Sequence, residues 1–170
     1  MELRVLKEKD CGLMLEWMHD PDVIKDMNAN FLDRKLADCV FFVQNSMTVR
    51  NKHFAIVDAN DEYMGTVSLK NIDINNGSAE FAITIRKAAM GKGYSSYAMR
   101  KIIDIAFSEY DLKVVYWYVN KKNIRAIKFY GKMGYWSVPV EKIERLGVKI
   151  ESVEADAMEW YCICKDETVS

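Results

Sequence analysis

The sequence predicts a mixed α/β sandwich, with a mostly antiparallel central sheet of about seven strands covered by about four helices. Three observations carry this. Between residues 53 and 86 two turn signals divide the chain into three strand-like runs, the last of which, residues 78–86, alternates apolar and more polar residues as a half-buried strand does. After Gly91-Lys92-Gly93 the apolar period lengthens to that of a helix. That segment is followed by Val114-Val115-Tyr116-Trp117-Tyr118-Val119, apolar throughout and therefore expected to be covered on both faces. The predicted order is β-α-α-β-β-β-α-β-α-β-β, in one domain over residues 1–170.

The chain opens on Leu3-Arg4-Val5-Leu6 as a short strand. A helix through Leu13, Met14, Trp17 and Met18 follows, with Asp10 as its cap, and His19-Asp20-Pro21 breaks it. Residues 33–46 form a second helix with Leu36, Val40, Phe41 and Val43 on the buried side. Next, residues 53–58 and 63–72 are strands joined by the turn Ala59-Asn60-Asp61-Glu62, a hairpin. Asn75-Asn76-Gly77 signals another turn. In residues 78–86, Ala79, Phe81, Ile83 and Ile85 point one way and Ser78, Glu80, Ala82, Thr84 and Arg86 the other. Residues 94–109 read as a helix with Ala98, Ile102, Ile105 and Ala106 on one stripe, and residues 123–133 as another, capped by Asn123 and stopped at Gly134. Residues 136–153 suggest strand, turn and strand extension, and residues 156–164 close the chain as a strand.

Composition narrows the function. Half the residues are hydrophobic and 29% are charged, an ordinary globular balance, and the formal net charge is −1. No global field draws this chain to nucleic acid or anionic lipid, so any anion it binds is held by a local site. The four cysteines include only one close pair, Cys162-x-Cys164, whose spacing is neither a zinc pair nor a redox motif. With only His19 and His53 as imidazoles, no metal centre is expected. The first nine residues already carry Glu2, Arg4, Lys7 and Glu8, unlike a signal peptide, and no apolar run approaches the roughly eighteen residues of a membrane span. The expectation is a soluble, cytoplasmic protein.

Two segments carry chemistry. In Ala88-Ala89-Met90-Gly91-Lys92-Gly93-Tyr94, two glycines open a helix, so backbone can approach a ligand closely and present free N–H groups, with the helix dipole adding positive charge. That suits a phosphate. The spacing matches neither G-x-x-x-x-G-K-[ST] nor G-x-G-x-x-G, and taken alone a tight turn serves as well. The second segment runs Val119-Asn120-Lys121-Lys122-Asn123-Ile124-Arg125-Ala126-Ile127-Lys128-Phe129-Tyr130-Gly131-Lys132-Met133-Gly134-Tyr135. Tyr130 shares the apolar face with Ala126 and Ile127; it is either a core tyrosine or a phenol placed to protonate a leaving group.

This second segment resembles the N-x-x-A-x-x-x-Y-x-K-x-G-[FY] signature of the GCN5-related N-acetyltransferases, and Gly91-Lys92-Gly93-Tyr94-Ser95-Ser96-Tyr97-Ala98-Met99 resembles their pyrophosphate loop and following helix. Both lie in the family's order, one helix and one strand apart, and the resemblance extends over essentially the whole chain. It implies transfer of an acetyl group from acetyl-CoA to an amine. The backbone of Ala88, Ala89, Met90, Gly91, Lys92 and Gly93 would then hold the CoA pyrophosphate, with Tyr94 and Ser95 at the head of the dipole-bearing helix. Ile83, Thr84 and Ile85 would offer backbone to the pantetheine, splayed from Tyr116 to Tyr118 on the next strand. Asn123 would reach the CoA arm and Tyr130 would protonate the departing thiolate. Ala88 departs from the family, which often has Gln or Arg there, and removes one side-chain contact.

The amine must lose its proton before attacking, and Glu80 is the choice of base; a water chain is the alternative, and Glu80 also reads as a solvated strand carboxylate. Asn28, Asn30 and Phe31 border the acceptor pocket by family analogy, together with Tyr118, or they are plain loop. Residues 65–73 with Ala79-Glu80-Phe81 resemble the branch that acts on nucleotide-linked amino sugars, which makes such a sugar the favoured acceptor. Protein N-termini and polyamines are the alternatives, and the acidic run at residues 151–156 would suit a polyamine. A different class, a non-catalytic acyl-CoA sensor, has no chemical use for Tyr130 or Glu80. The partner expected is thus a small-molecule amine, with no nucleic acid and no membrane; pairing through residues 161–164 would make a homodimer.

Overall fold

The three strand-like runs fold as expected into antiparallel strands, and a computed structural model describes residues 1–27, 29–150 and 155–168 of the chain. Six strands, β1 (Glu2–Val5), β2 (Lys52–Val57), β3 (Tyr63–Asp73), β4 (Ser78–Ile85), β5 (Val114–Asn120) and β6 (Met158–Cys164), form one sheet in sequence order. Six helices accompany them: α1 (Cys11–Met18), α2 (Pro21–Ile24), α3 (Leu36–Gln44), α4 (Tyr94–Ser108), α5 (Ile124–Lys132) and α6 (Val140–Arg145). All neighbouring strands are antiparallel except β4 and β5, which α4 connects and which therefore run parallel.

That one parallel pair creates the site. β4 and β5 pair only from Ser78↔Val114 to Glu80↔Tyr116. Beyond Glu80, β4 stays zipped to β3 as far as Ile85↔Gly65, while β5 stays zipped to β6 as far as Asn120↔Met158. Each strand keeps its outer partner, and the two inner edges diverge into a notch.

Side-chain alternation then sorts the layers. Val67, Leu69, Phe81 and Ile85 face α4, whose Ala98, Met99, Ile102 and Ala106 are fully buried against them. Each such large side chain contributes roughly 1.5–3 kcal/mol over leaving it exposed. On the opposite face, Ala55, Val57 and Tyr63 meet Met14, Trp17, Cys39 and Val43 of α1 and α3. Farther along that face α6 covers β5 and β6, burying Ile143 beside Tyr116 and Trp160. Arg86, buried just past β4, ties these parts together: its guanidinium donates to Glu16 of α1 at 3.0 Å, to Glu62 at 2.8 Å and to the Tyr63 carbonyl at 2.9 Å. This clamp fixes where the glycine loop begins.

Several expectations are corrected. Among the described residues the sheet has six strands rather than about seven: residues 136–150 form α6 and a single bridge, Val138↔Trp160, in place of the expected strands, and residues 151–153 of that expectation lie outside the described residues. Pro139 sits at the N-terminal cap of α6 and the basic Lys142 and Arg145 fall in its last turn, signals a helix uses. The helix count rises from four to six through α6 and the short α2, which Asp20 caps by accepting from the Asp22 N–H. Asp10 occupies the N-cap position of α1, but its side chain makes no capping bond there. Its carboxylate instead accepts from the Lys7 N–H and both terminal nitrogens of Arg4. In α3 the buried side chains are Cys39 and Val43, while Leu36 and Phe41 are exposed.

Gly65 shows how tightly β3 is held to β4. A Cβ there would collide with the Thr84 carbonyl oxygen and come within 2.9 Å of the Ile85 side chain. Gly65→Ala is therefore expected to destabilise the fold by about 3 kcal/mol, since neither backbone has room to yield. Equilibrium urea unfolding of the variant checks this.

Candidate active site

The notch between β4 and β5 continues into a cleft of about 970 Å³. Its apolar wall is Ile83 and Ile85 from β4 with Phe129 and Tyr130 from α5; its mouth carries Met90 and Gly91 from the loop and Ser95 from α4. Asn123 and Tyr118 line it from the other side, and Phe31 and Glu80 close one end. The structure thus brings together ten of the predicted site residues in one space. Thr84 alternates to the opposite face and lines a neighbouring cavity of about 430 Å³. Ala88, Lys92, Gly93 and Tyr94 belong to the adjoining loop and helix start, and Ala89 is buried in the core. Asn28 and residues 151–154 of the acidic run lie outside the described residues.

The loop's conformation explains its glycines. Gly91 and Gly93 have φ of 74° and 85°, a region that costs a side chain dearly. Gly93 is the N-cap of α4, and the Tyr97 N–H bonds back to its carbonyl. The first N–H groups of this fifteen-residue helix have no intrahelical partner, and Gly91 and Ser95 on either side of its start line the cleft.

Glu80 is only 7% exposed, so it is not the solvated strand carboxylate the sequence allowed. Lys70 on β3 pairs with Oε1 at 2.6 Å, and the Asn71 side-chain amide donates to Oε2 at 2.8 Å. The register sets this contact, since Lys70 and Glu80 are cross-strand partners. Tyr130 is buried on α5 among Trp117, Phe129 and Tyr161, with ring centroids 5.0–5.4 Å away. Burial pushes its phenol well above the ordinary value, so the proton is retained at neutral pH. Asn123 caps α5 through its carboxamide oxygen, which accepts from the Ala126 N–H at 3.0 Å, leaving its NH₂ as a donor.

On the Glu80 face, the 430 Å³ cavity adjoins the cleft and shares Phe31, Lys70, Ala82 and Ile83 with it. Trp17 and Phe31 meet there edge to face at 5.2 Å, and His53 lies against Phe42 at 4.6 Å. Burial, with Lys70 nearby, pushes the His53 imidazole down to about 4, so it is neutral at physiological pH and bonds Ser68 at 2.7 Å.

Sequence reasoning missed Lys70 and Asn71 as the groups that hold Glu80. It also missed Arg125, Lys128 and Lys132 of α5, which line the cleft and give it positive charge. Their i, i+3, i+7 spacing was a readable signal of one cationic stripe.

Among the described residues there is no group of His, Cys, Asp and Glu that could hold a metal, and no helix is long and apolar enough to cross a membrane. A notched sheet with a glycine-opened helix start, a buried phenol and a carboxylate along one cleft is the arrangement expected of an acyltransferase that uses a CoA thioester. The family described as acetyltransferase (GNAT) domain matches residues 1–135, and the chain belongs to it. It is accordingly an N-acetyltransferase with acetyl-CoA as co-substrate. The chain is 29% identical over 139 residues to an uncharacterized N-acetyltransferase p20 of Bacillus licheniformis, covering 79% of this chain and 78% of that one. It is 34% identical over 80 residues to spermidine N(1)-acetyltransferase of Escherichia coli, which is 47% of this chain and 43% of that protein. The crystal structure of spermidine N-acetyltransferase from Vibrio cholerae with CoA and spermine superposes with a TM-score of 0.77, at 19% identity, over 97% of this chain and 95% of that one, and shows the shared fold.

Proposed function

We propose that the chain acetylates a primary amine by direct attack within a ternary complex, with Glu80 as base and Tyr130 as acid. One observation carries this: the notch opens both residues onto a single cleft, Glu80 at its acceptor end and Tyr130 on the wall. The amine nitrogen attacks the thioester carbonyl carbon and the C–S bond breaks. Glu80 accepts the proton released from nitrogen, and the Tyr130 hydroxyl supplies one to the departing thiolate. Ile83, Thr84 and Ile85 offer unpaired inner-edge backbone to the pantetheine, with an N–H in residues 82–84 for the carbonyl oxygen. The loop from Ala88 to Gly93, Tyr94, Ser95 and the NH₂ of Asn123 hold the phosphates and arm.

Lys70 sharpens the role of Glu80. It keeps the carboxylate in place while each oxygen retains a lone pair, and its charge lowers the pKa of an ammonium arriving beside it. For the acceptor, the aromatic Trp17 and Phe31 beside Lys70 support a nucleotide-linked amino sugar, whose phosphates tolerate cations and whose rings need flat walls. The likeness to spermidine acetyltransferases supports a polyamine as the second reading. Phe31 and Tyr118 border the acceptor in either case. A homodimer through β6, the last strand of the sheet, completes the proposal; sedimentation velocity at twice the monomer mass would agree with it.

The experiment is thermal unfolding with and without acetyl-CoA. A hundredfold excess over Kd is expected to raise the midpoint by about 5–10 °C, with no rise for ATP or NAD. Adding a UDP-4-amino-sugar to the loaded protein should raise it further, and spermidine should not; the reverse order would select the polyamine. No rise with acetyl-CoA would remove the donor assignment.

A further inference from the structure

Adjoining the cleft at Glu80 lies a second and smaller pocket of about 190 Å³ that the transfer chemistry does not use. Glu80 and Tyr118 are shared by both spaces, so anything placed at Glu80 can extend into it. Its other walls are set by three separate parts of the chain: Arg50 from the turn before β2, Lys149 from the segment after α6, and the β5–β6 side chains Tyr116 and Trp160. These walls come together because Glu80 pairs with Tyr116, and Tyr116 and Tyr118 pair with Cys162 and Trp160, which keeps the side chains on one face.

The charge of this pocket is unbalanced in a specific way. Two carboxylates border it: Glu80 is ion-paired with Lys70, while Asp73 is held by neutral hydrogen-bond donors and keeps its charge. Asp73 accepts from the Asn75 and Asn76 N–H groups at 3.0 and 3.1 Å and from the Asn76 amide at 2.8 Å. Glu80 is held by Lys70 and Asn71. Among the described residues no carboxylate stands within ion-pair distance of Arg50 or of Lys149, although the charge of Lys149 reaches Asp73 and helps to lower its pKa; with Lys70 balancing Glu80, Arg50 and Lys149 together outweigh Asp73 at this pocket. Two phenols join them as donors. Burial and the nearby Glu80 charge raise both Tyr116 and Tyr118, which keeps their protons on. Donors and cations thus converge where acceptor atoms would be bound.

We propose that this pocket is an anion subsite for the acceptor: the amine presented to Glu80 belongs to a molecule that carries a carboxylate or phosphate a few atoms away, held by Arg50 and Lys149. The placement of the amine rests on the acetyl-transfer reading above; the pocket's preference for an anion does not. A polyamine has the opposite charge requirement: its second ammonium would meet Arg50 and Lys149, and among the described residues the carboxylates at this pocket are Glu80, already paired with Lys70, and Asp73, which lies in the field of Lys149.

Two measurements test this. In the first, acetyl-CoA turnover is compared across matched amines: 4-aminobutanoate against 1,4-diaminobutane, and 2-aminoethyl phosphate against ethanolamine. The anionic member of at least one pair is expected to have a kcat/KM tenfold or more above its partner, and which pair responds tells carboxylate from phosphate. In Arg50→Ala/Lys149→Ala that ratio should collapse toward one. Both positions are exposed, so the variant is expected to fold. A wild-type preference for the diamine, or a ratio untouched by the double substitution, overturns the subsite. In the second, inorganic phosphate and acetate are titrated into the acetyl-CoA-loaded protein and followed at the Trp160 indole N–H resonance. A shift in the wild type that is lost in the double variant supports the subsite even if no amine in the panel turns over, an outcome that would instead remove the transfer reading. No shift with either anion overturns the subsite whatever the turnover shows.

Discussion

Tyr130→Phe is expected to lower kcat by about a hundredfold or more, the range for a positioned general acid, while the Kd for acetyl-CoA stays within about twofold. The substitution removes one oxygen and keeps the ring. The packing against Trp117, Phe129 and Tyr161 is therefore preserved, and loss of folding is not an available explanation. Stopped-flow turnover with a saturating amine, paired with calorimetric titration of acetyl-CoA, separates the two quantities. A non-catalytic acyl-CoA sensor predicts no change in any response that acetyl-CoA evokes. The buried position matters: a phenol in water would be no better placed than solvent, but one held protonated beside an apolar wall can deliver its proton to a thiolate that burial makes costly.

Glu80→Gln is expected to lower kcat/KM by about a hundredfold at neutral pH, with much of the loss recovered as pH rises toward the pKa of the amine. The sign follows from the role. A base is needed only by the protonated amine, and its worth shrinks as the neutral fraction grows. Lys70 complicates any simple structural explanation, since an uncharged amide in place of the carboxylate would leave its ammonium without an ion-pair partner. Lys70 is partly exposed and can turn to water, so the stability cost is modest, within about 1 kcal/mol. A purely structural defect would depress the rate equally across the pH range; a rate–pH profile from about pH 6.5 to 10 distinguishes the two.

Much of this is legible in the residues, for reasons that can be named. The meander is readable because Ala79, Phe81, Ile83 and Ile85 alternate with more polar or smaller neighbours, as a strand with one buried face requires. The glycine loop is readable because two positive-φ positions need glycine and little else tolerates them. Residues 136–150 defeat a periodicity reading because a six-residue helix leaves too few turns to show a period, with Ile143 as its buried residue and Val140 packed partly beside it. The polar partners of Glu80 are not visible because a cross-strand pair depends on register, and nothing in Lys70-Asn71 alone announces which carboxylate ten positions later it will face. Phe41 is of a type that favours burial, yet it stands on the exposed side of α3. Arg50 and Lys149 carry no signal at all; ninety-nine positions separate them, and only the sheet makes them neighbours of one pocket.

The pairing of β3 with β4 has one more consequence. Glu80 and Ile83 differ in parity, so the pleat sends one to the acceptor face and the other to the core, and a single offset decides both. Sliding β4 by one residue would bring Phe81 or Ala79 to the position of the carboxylate and turn the whole apolar wall toward the amine. Chemistry and hydrophobic packing are thus phase-locked: no drift in alignment can spoil the reaction gradually while the fold survives. The irregularity between Lys70 and Asp73, where the pairing shifts register on its way from the Asn75–Gly77 turn, sets that offset and keeps time for a reaction it never touches.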